Sequence, residues 1–504
     1  MNNKTQKTGK TFIGVSIVIF MSKLLGFGRD IVFASIFGTT ILTDLFQLIF
    51  SFPGYLFASV GTALSSVNIP DLTYYINNKT REERNLYLSN LFAQITLWAT
   101  LLCLAGIVFA PAITRLIAPG LSDDVVGLAV LLTRIMIPTL LFVSLTYVAA
   151  GVLQVHSYFL VSSSISIPFN LLVIGSLLMK GEDIIFLGYV TTLGWFLQFL
   201  IQVPVLFKEK YQFFFRLDFK NEHTVLMFKQ LMPILLGNSI LQLCMIIDRS
   251  FATHLEEGTT AALGFGSNLF VTITSIFIVA MSTVIFPRLS QYCLDGDNVR
   301  IRSLLNNIFK ILLFILLPYL VLVLVYNQEI VALVYERGAF TSQSTDMTAL
   351  AFLGYSFAVV GYACQEIFNR VYYALKKFKV PMLVSMLCIG LKLLLDFWLF
   401  RTSGIIGISA STAVCLLLYA IIMALLLRRE IGNFLNRSSF YFMFQLGLPV
   451  AGMVAVILGS RFLPLGGKLS FLLPLMASGC VYLLIAYFSN IIQSIFVKEA
   501  DKIE

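Results

Sequence analysis

Runs of about 20 apolar residues recur from end to end of this chain, separated by short charged or Gly/Pro-containing breaks. A helix rises 1.5 Å per residue, so ~20 residues cross the ~30 Å hydrocarbon core of a bilayer. Fourteen such runs lie near 11–36, 41–69, 87–112, 126–152, 157–179, 183–207, 224–248, 260–287, 303–326, 346–375, 380–400, 404–427, 439–460 and 469–491. The expectation is an all-α polytopic membrane protein of about 14 transmembrane helices. Composition agrees: 12% of the 504 residues are charged, against ~25% in soluble domains.

Charge orients the chain. The net charge of +9 points to cytoplasmic loops and anionic lipid rather than nucleic acid. With both termini inside, the cytoplasmic segments carry 21 of the 35 Lys and Arg and the opposite loops carry 6. That asymmetry fits an even number of spans and cytoplasmic termini. The basic start "MNNKTQKTGK" runs on without a small-residue cleavage site, so it reads as a retained first span. Seven scattered cysteines without a CxxC read as small buried hydrophobes. Three distant histidines give no zinc pattern, so no metal site is assigned.

The chain repeats itself. "GTTILTDLF" at Gly38 answers "GTTAALGFG" at Gly258, and nine residues before these glycines stand Arg29 and Arg249. Pro70 answers Pro287, "LIAPGL" around Gly120 answers "VYERGAF" around Gly338, and Gly151 answers Arg370. The offset stays at 217–220 throughout. Two parallel six-helix repeats follow, a transporter architecture with the substrate path between the halves. The expected division is 1–220, 221–437, and 438–504 for two additional helices and a short cytoplasmic tail.

Charges inside spans are expensive and mark function. In "SKLLGFGRD", Ser22, Lys23, Arg29 and Asp30 fall within an arc of about 120° of the first helix, with Gly26 at its middle. This stripe reads as the lining of a wet cavity that attracts an anion. A Lys23–Asp30 pair, or Arg29 snorkelling outward, is the structural alternative. Asp44 serves either as a helix N-terminal acid or as a counter-charge to Arg29. The second helix is interrupted by Pro53 and Gly54, as helices lining cavities can be. Asp248 and Arg249 stand side by side in "MIIDRSF". Lys392 and Asp396, four apart, share a helix face as a structural pin or, with Asp248, as a coupling-ion site.

Together, "SKLLGFGRDIVFASIFG", "TDLFQLIFSFPG", the "APGL" and "ERGAF" loop ends and the fourteen spans resemble the MurJ (MviN) family. These are lipid II flippases of bacterial cell-wall synthesis, in the multidrug/oligosaccharidyl-lipid/polysaccharide exporter superfamily. The resemblance implies a central cationic cavity lined by the first, second, seventh and eighth helices. It also implies a C-terminal groove for the lipid tail and residence in the bacterial plasma membrane as a monomer. Ser22, Lys23, Arg29, Asp30 and Asp44 fall on the family's first-half pattern, and Arg249 joins them by the repeat as a substrate-binding residue. Asp248 and Asp396 fall on acids that hold sodium in some members; Lys392 stands where asparagine is common. A tethered ammonium there is expected to replace sodium. No cofactor is implied; coupling to membrane potential, Na+ or H+ is left open.

This chain departs from the pattern in two places. The second-helix stretch "FPGYLFASVG" has no arginine pair, and "GFGSNLFV" in the eighth helix has Ser267, Asn268 and Val271 in place of charges. The expected activity is a flippase moving undecaprenyl-pyrophosphate-linked peptidoglycan precursor from the inner to the outer leaflet by alternating access. A flippase for another polyprenyl-linked saccharide, of capsule or teichoic type, is the alternative. A cation-coupled drug exporter fits Lys23 and Arg29 less well. A membrane glycosyl or phosphoryl transferase would need clustered acids or a metal, and the outer loops carry only scattered acids.

Overall fold

The computed structural model describes residues 2–51, 72–212, 214, 217–220, 225, 229, 233–435, 437–460 and 470–496. Every regular element among these residues is a helix. Seven helices are long and apolar enough to cross a membrane, or eight if one bent pair counts as a span. The second-helix features Pro53, Gly54 and Pro70 lie outside the described residues, as do parts of the candidate at 224–248. The described residues form two compact units, 1–265 with 337–344, and 266–336 with 345–504.

The first unit contains α1 (Asn2–Phe37), α2 (Ile41–Ser51), α3 (Arg81–Val108), α4 (Ala110–Ile117), α5 (Asp123–Met136), α6 (Thr139–Val155), α7 (Phe159–Ser164), α8 (Ser166–Lys180), α9 (Ile184–Leu200), α10 (Val203–Lys208) and α11 (Ile240–Ala252). It also contains the first residues of α12 (Thr259–Leu294). The run at 126–152 is broken between α5 and α6 at Ile137–Pro138, because proline has no N–H to continue the ladder. The next break, between α6 and α7, turns on Ser157 with φ 63°. Thr80 and Glu83 start α3 with a reciprocal capping box, and the Asp183 carboxylate caps α9 through the Phe186 amide. Helix α1 packs along α8, α8 along α9, α9 along α6, and α6 along α3. At Gly194 of α9 a Cβ would stand 2.5 Å from the Phe169 ring, so glycine sets the approach of α8 and α9.

The second unit contains the rest of α12, then α13 (Asn298–Tyr335), α14 (Ser342–Ser356, from residue 345), α15 (Val359–Ala374), α16 (Lys379–Ile431), α17 (Arg437–Gln445), α18 (Gly447–Ser460), α19 (Leu472–Phe488) and α20 (Ile491–Phe496). As a straight rod the 53 residues of α16 would reach ~80 Å. Instead the backbone leaves helical geometry at Gly404, with φ 56° and ψ −135°. The two arms run back along each other: Lys392 Nζ reaches Ser411 Oγ at 2.8 Å and Cys415 Sγ reaches the Cys388 carbonyl at 3.3 Å. They are the separate runs 380–400 and 404–427. Helix α13 leaves helical geometry at Tyr326, which separates the run 303–326 from the outer segment that follows. Helices α14 and α15 are bent by 44° where one run was expected. The C-terminal helices pack on α13 through Leu313, Phe442, Met453, Phe471 and Tyr482, whose hydroxyl donates to the Phe314 carbonyl at 2.8 Å.

Candidate functional site

The polar stripe of α1 faces a cavity. Ser22, Lys23, Gly26 and Arg29 form one wall of a space of about 440 Å³, whose other walls come from α2, α6, α7, α8 and α9. Ser22 Oγ donates to the Ser163 carbonyl at 3.3 Å, tying α1 to α7. Arg29 is half-buried and is held from two sides. Its Nη2 and Nε donate to Asp30 Oδ1 at 2.7 and 3.0 Å. Its guanidinium carbon lies 5.6 Å from the Phe50 ring centre and 5.4 Å from that of Phe169. Aromatic faces and a carboxylate fix the guanidinium as a plane, and a planar fork is the geometry that matches phosphate oxygens. Asp30 is thus the partner of Arg29, and Lys23 stands on the same cavity wall.

Asp44 takes a third course. It is buried in α2, and its two oxygens accept the amides of Gly258 at 2.8 Å and Ala261 at 2.6 Å. Its carboxylate therefore caps α12. Glu257 returns the favour by accepting the Ile41 amide at the start of α2, at 2.8 Å. Each helix N-terminus receives an acid carried by the other, which satisfies orphan N–H groups and complements both dipoles.

The landmarks of the sequence repeat meet around these caps. Ala339 N–H donates to the Ser35 carbonyl at 2.8 Å, and Thr39 and Ser344 hydroxyls lie 2.8 Å apart. Gly120 N–H donates to Thr253 Oγ1 at 3.0 Å. A Cβ at Gly338 would stand 2.2 Å from the Ser35 carbonyl oxygen, and one at Gly120 would stand 2.2 Å from that of Thr253. The two contacts are repeat images of each other. These turns of the first unit are interlocked, backbone against backbone.

Arg249 does not line the α1 cavity. It is 2% exposed, and its Nη1 donates to the Gln47 carbonyl at 3.0 Å and to Ser51 Oγ. It ties α11 to the last turn of α2, just before Pro53. Asp248 is fully buried beside it in α11. In the second unit Lys392, Asp396 and Ser411 form a buried triad. Lys392 Nζ lies 2.9 Å from Asp396 Oδ2, and Ser411 Oγ donates to Asp396 Oδ1. Among the described residues no group of three His, Cys, Asp or Glu is arranged to hold a metal.

Reading charges alone misses the wall opposite α1. Tyr147 on α6, Asn170 on α8, and Trp195 and Gln198 on α9 line the same cavity. The available signal was weak: uncharged amides within apolar spans, each needing a partner.

Comparison with known proteins gives one consistent result. The family model described as lipid II flippase MurJ matches residues 33–477. A probable lipid II flippase MurJ of Buchnera aphidicola subsp. Schizaphis graminum is 28% identical over 502 residues, covering 96% of this chain and 97% of that protein. The lipid II flippase MurJ of Burkholderia cenocepacia is 24% identical, covering 84% of each. Among solved structures, a lipid II flippase MurJ in an inward closed conformation superposes with a TM-score of 0.81 at 23% identity, covering 95% of this chain and 99% of that one. An inward-facing multidrug resistance MATE family transporter of the MOP superfamily superposes with a TM-score of 0.64 at 14% identity, covering 84% and 98%.

Proposed function

The chain belongs to the lipid II flippase MurJ family, and we propose that it carries lipid II from the inner to the outer leaflet of the bacterial plasma membrane by alternating access. It is a transporter that makes and breaks no covalent bond in its cargo. The observation that carries this reading is a cavity with Lys23 and Arg29 on one wall. A pyrophosphate entering a bilayer needs preplaced cations, and a guanidinium positioned by Asp30, Phe50 and Phe169 on the cavity wall supplies one. Arg29 lies nine residues before Gly38, or ~14 Å along α1 and so near the bilayer midplane. Transporters of repeated architecture bind their cargo at that depth.

The interlocked outer turns are the closed gate in this reading, with Asp44 and Glu257 as its latches. Hydrogen bonds worth about 1 kcal/mol each close the gate and still allow it to open. The excess of Lys and Arg in one set of loops supports cytoplasmic termini. The Lys392 ammonium takes the place of a coupling cation at Asp396, and the membrane potential resets the cationic cavity, at ~2.3 kcal/mol per charge per 100 mV.

The test is complementation. Cells depleted of their own lipid II flippase should grow when given this chain and should fail with Arg29→Ala at equal expression. Growth with Arg29→Ala, or rescue only of a strain lacking a capsule flippase, overturns the reading.

A further inference from the structure

Resting on the flippase reading, we infer that the cavity wall opposite α1 is a saccharide-recognition surface whose hydrogen-bonding groups are the side-chain amides of Asn170 and Gln198. Both residues are deeply buried, at 4% and 3% exposure, yet both line the cavity. Neither amide has a hydrogen-bond partner among the described residues, and the same is true of the Tyr147 hydroxyl and the Trp195 indole N–H beside them. Three other buried amides in this unit bond to backbone, although Gln202 Oε1, like Gln242 Oε1, has no partner among the described residues. Asn90 and Gln94 grip the Asp218 backbone, and Gln202 donates to the Thr146 carbonyl at 3.2 Å. The polar atoms of Asn170 and Gln198 are not enclosed in protein but open to the cavity, so what fills it supplies their partners. Groups kept in that state while facing a cavity are poised for a molecule that enters it.

Their chemistry specifies the visitor. An amide offers two donors and an acceptor, and a phenol adds one of each. The donors of this set would suit a phosphate as well, but only sugar hydroxyls and N-acetyl groups, which donate and accept, also use the amide carbonyls. Trp195 packs on Phe169, with ring centres 5.4 Å apart, giving the wall an aromatic surface for the apolar face of a pyranose ring. The cavity thus has two chemically distinct walls: cations on α1 for the anionic link, and neutral amides and rings on α6, α8 and α9 for the saccharide. Gly26 keeps them open to each other. A Cβ there would stand 3.6 Å from Asn170 Nδ2, so any longer side chain would cover the amide.

The test compares two probes on the purified full-length protein: a polyprenyl pyrophosphate without sugar, and lipid II. Asn170→Leu and Gln198→Met remove the amides at near-constant volume. Each should weaken lipid II binding about tenfold while leaving the sugar-free probe unchanged. The thermal midpoint should stay level or rise, because an unpartnered amide is replaced by an apolar group. Variants that keep the wild-type preference for lipid II, or that lose both probes equally, overturn the inference. Arg29→Ala should weaken both probes. A wild-type protein that binds neither probe refutes the flippase reading itself, a result distinct from equal affinity for the two.

Discussion

The carboxylate of Asp44 accepts the Gly258 amide at 2.8 Å, so the second helix carries the cap of a helix that begins more than 200 residues later. Glu257 caps α2 in return. In the proposed gate, closure of the interlocked turns depends on these few replaceable hydrogen bonds. Asp44→Ala should cost ~1–2 kcal/mol of closure, the usual worth of an N-terminal cap. A cysteine placed at Leu48 should then react faster with a membrane-impermeant maleimide than in the parent protein. Asp44→Asn, which retains an acceptor, should have the smaller effect. Equal labelling in all three would remove Asp44 from the gate.

Arg29 is held by geometry that lysine cannot copy. Arg29→Lys keeps the charge and loses both the paired donation to Asp30 and the guanidinium contact with Phe50 and Phe169. Transport should fall about tenfold, in line with a lost cation–π contact of ~1–2 kcal/mol. A lysine variant that transports at the parent rate would show that charge alone suffices.

The repeat points Arg249 to the cavity, whereas its Nη1 bonds the Gln47 carbonyl and Ser51 Oγ of α2. Arg249→Ala should remove ~1.5–3 kcal/mol of charged hydrogen bonding and lower the thermal midpoint by several degrees. A variant with unchanged stability and no transport would return Arg249 to the cargo.

The Lys392–Asp396–Ser411 triad makes a prediction with two arms. Lys392→Ala strands a buried carboxylate and should cost ~3–5 kcal/mol, whereas Lys392→Met with Asp396→Leu should recover most of that loss. Lys392→Asn should gain a thermal midpoint that rises in sodium over potassium, while the parent stays indifferent. Sodium stabilisation of the parent would contradict the tethered-cation proposal.

His156 sits at the α6–α7 break, 2.5 Å from the Tyr211 hydroxyl and 3.5 Å from Glu209. Burial holds its imidazole below the ordinary 6.5, opposed by Glu209 and aided by Arg84. The folded state therefore binds this proton less readily than the unfolded chain. The linked stability is complete above the unfolded value and is lost as pH falls from about 6.5 through the lower folded value. His156→Gln should show a smaller drop in thermal midpoint between neutral and mildly acidic buffer. An identical drop would assign the pH sensitivity elsewhere.

Much of this protein was legible in its sequence because the bilayer imposes a simple rule. Backbone groups in hydrocarbon must be satisfied within their own segment, so apolar run lengths alone declare an all-helical spanning fold. Helical periodicity placed Ser22, Lys23, Gly26 and Arg29 on one stripe, since that depends only on neighbours in the chain. The repeat marked the four outer turns without saying what they did. Partners are another matter, because they are set by which helices lie together. That Phe50 and Phe169 flank Arg29, that Asp44 caps a distant helix, that Arg249 grips α2, and that Asn170 and Gln198 line the cavity all required helices remote in sequence to be packed in space. The sequence determined the number and polarity of the charged groups, and tertiary packing decided which are paired, which cap a distant helix and which line the cavity.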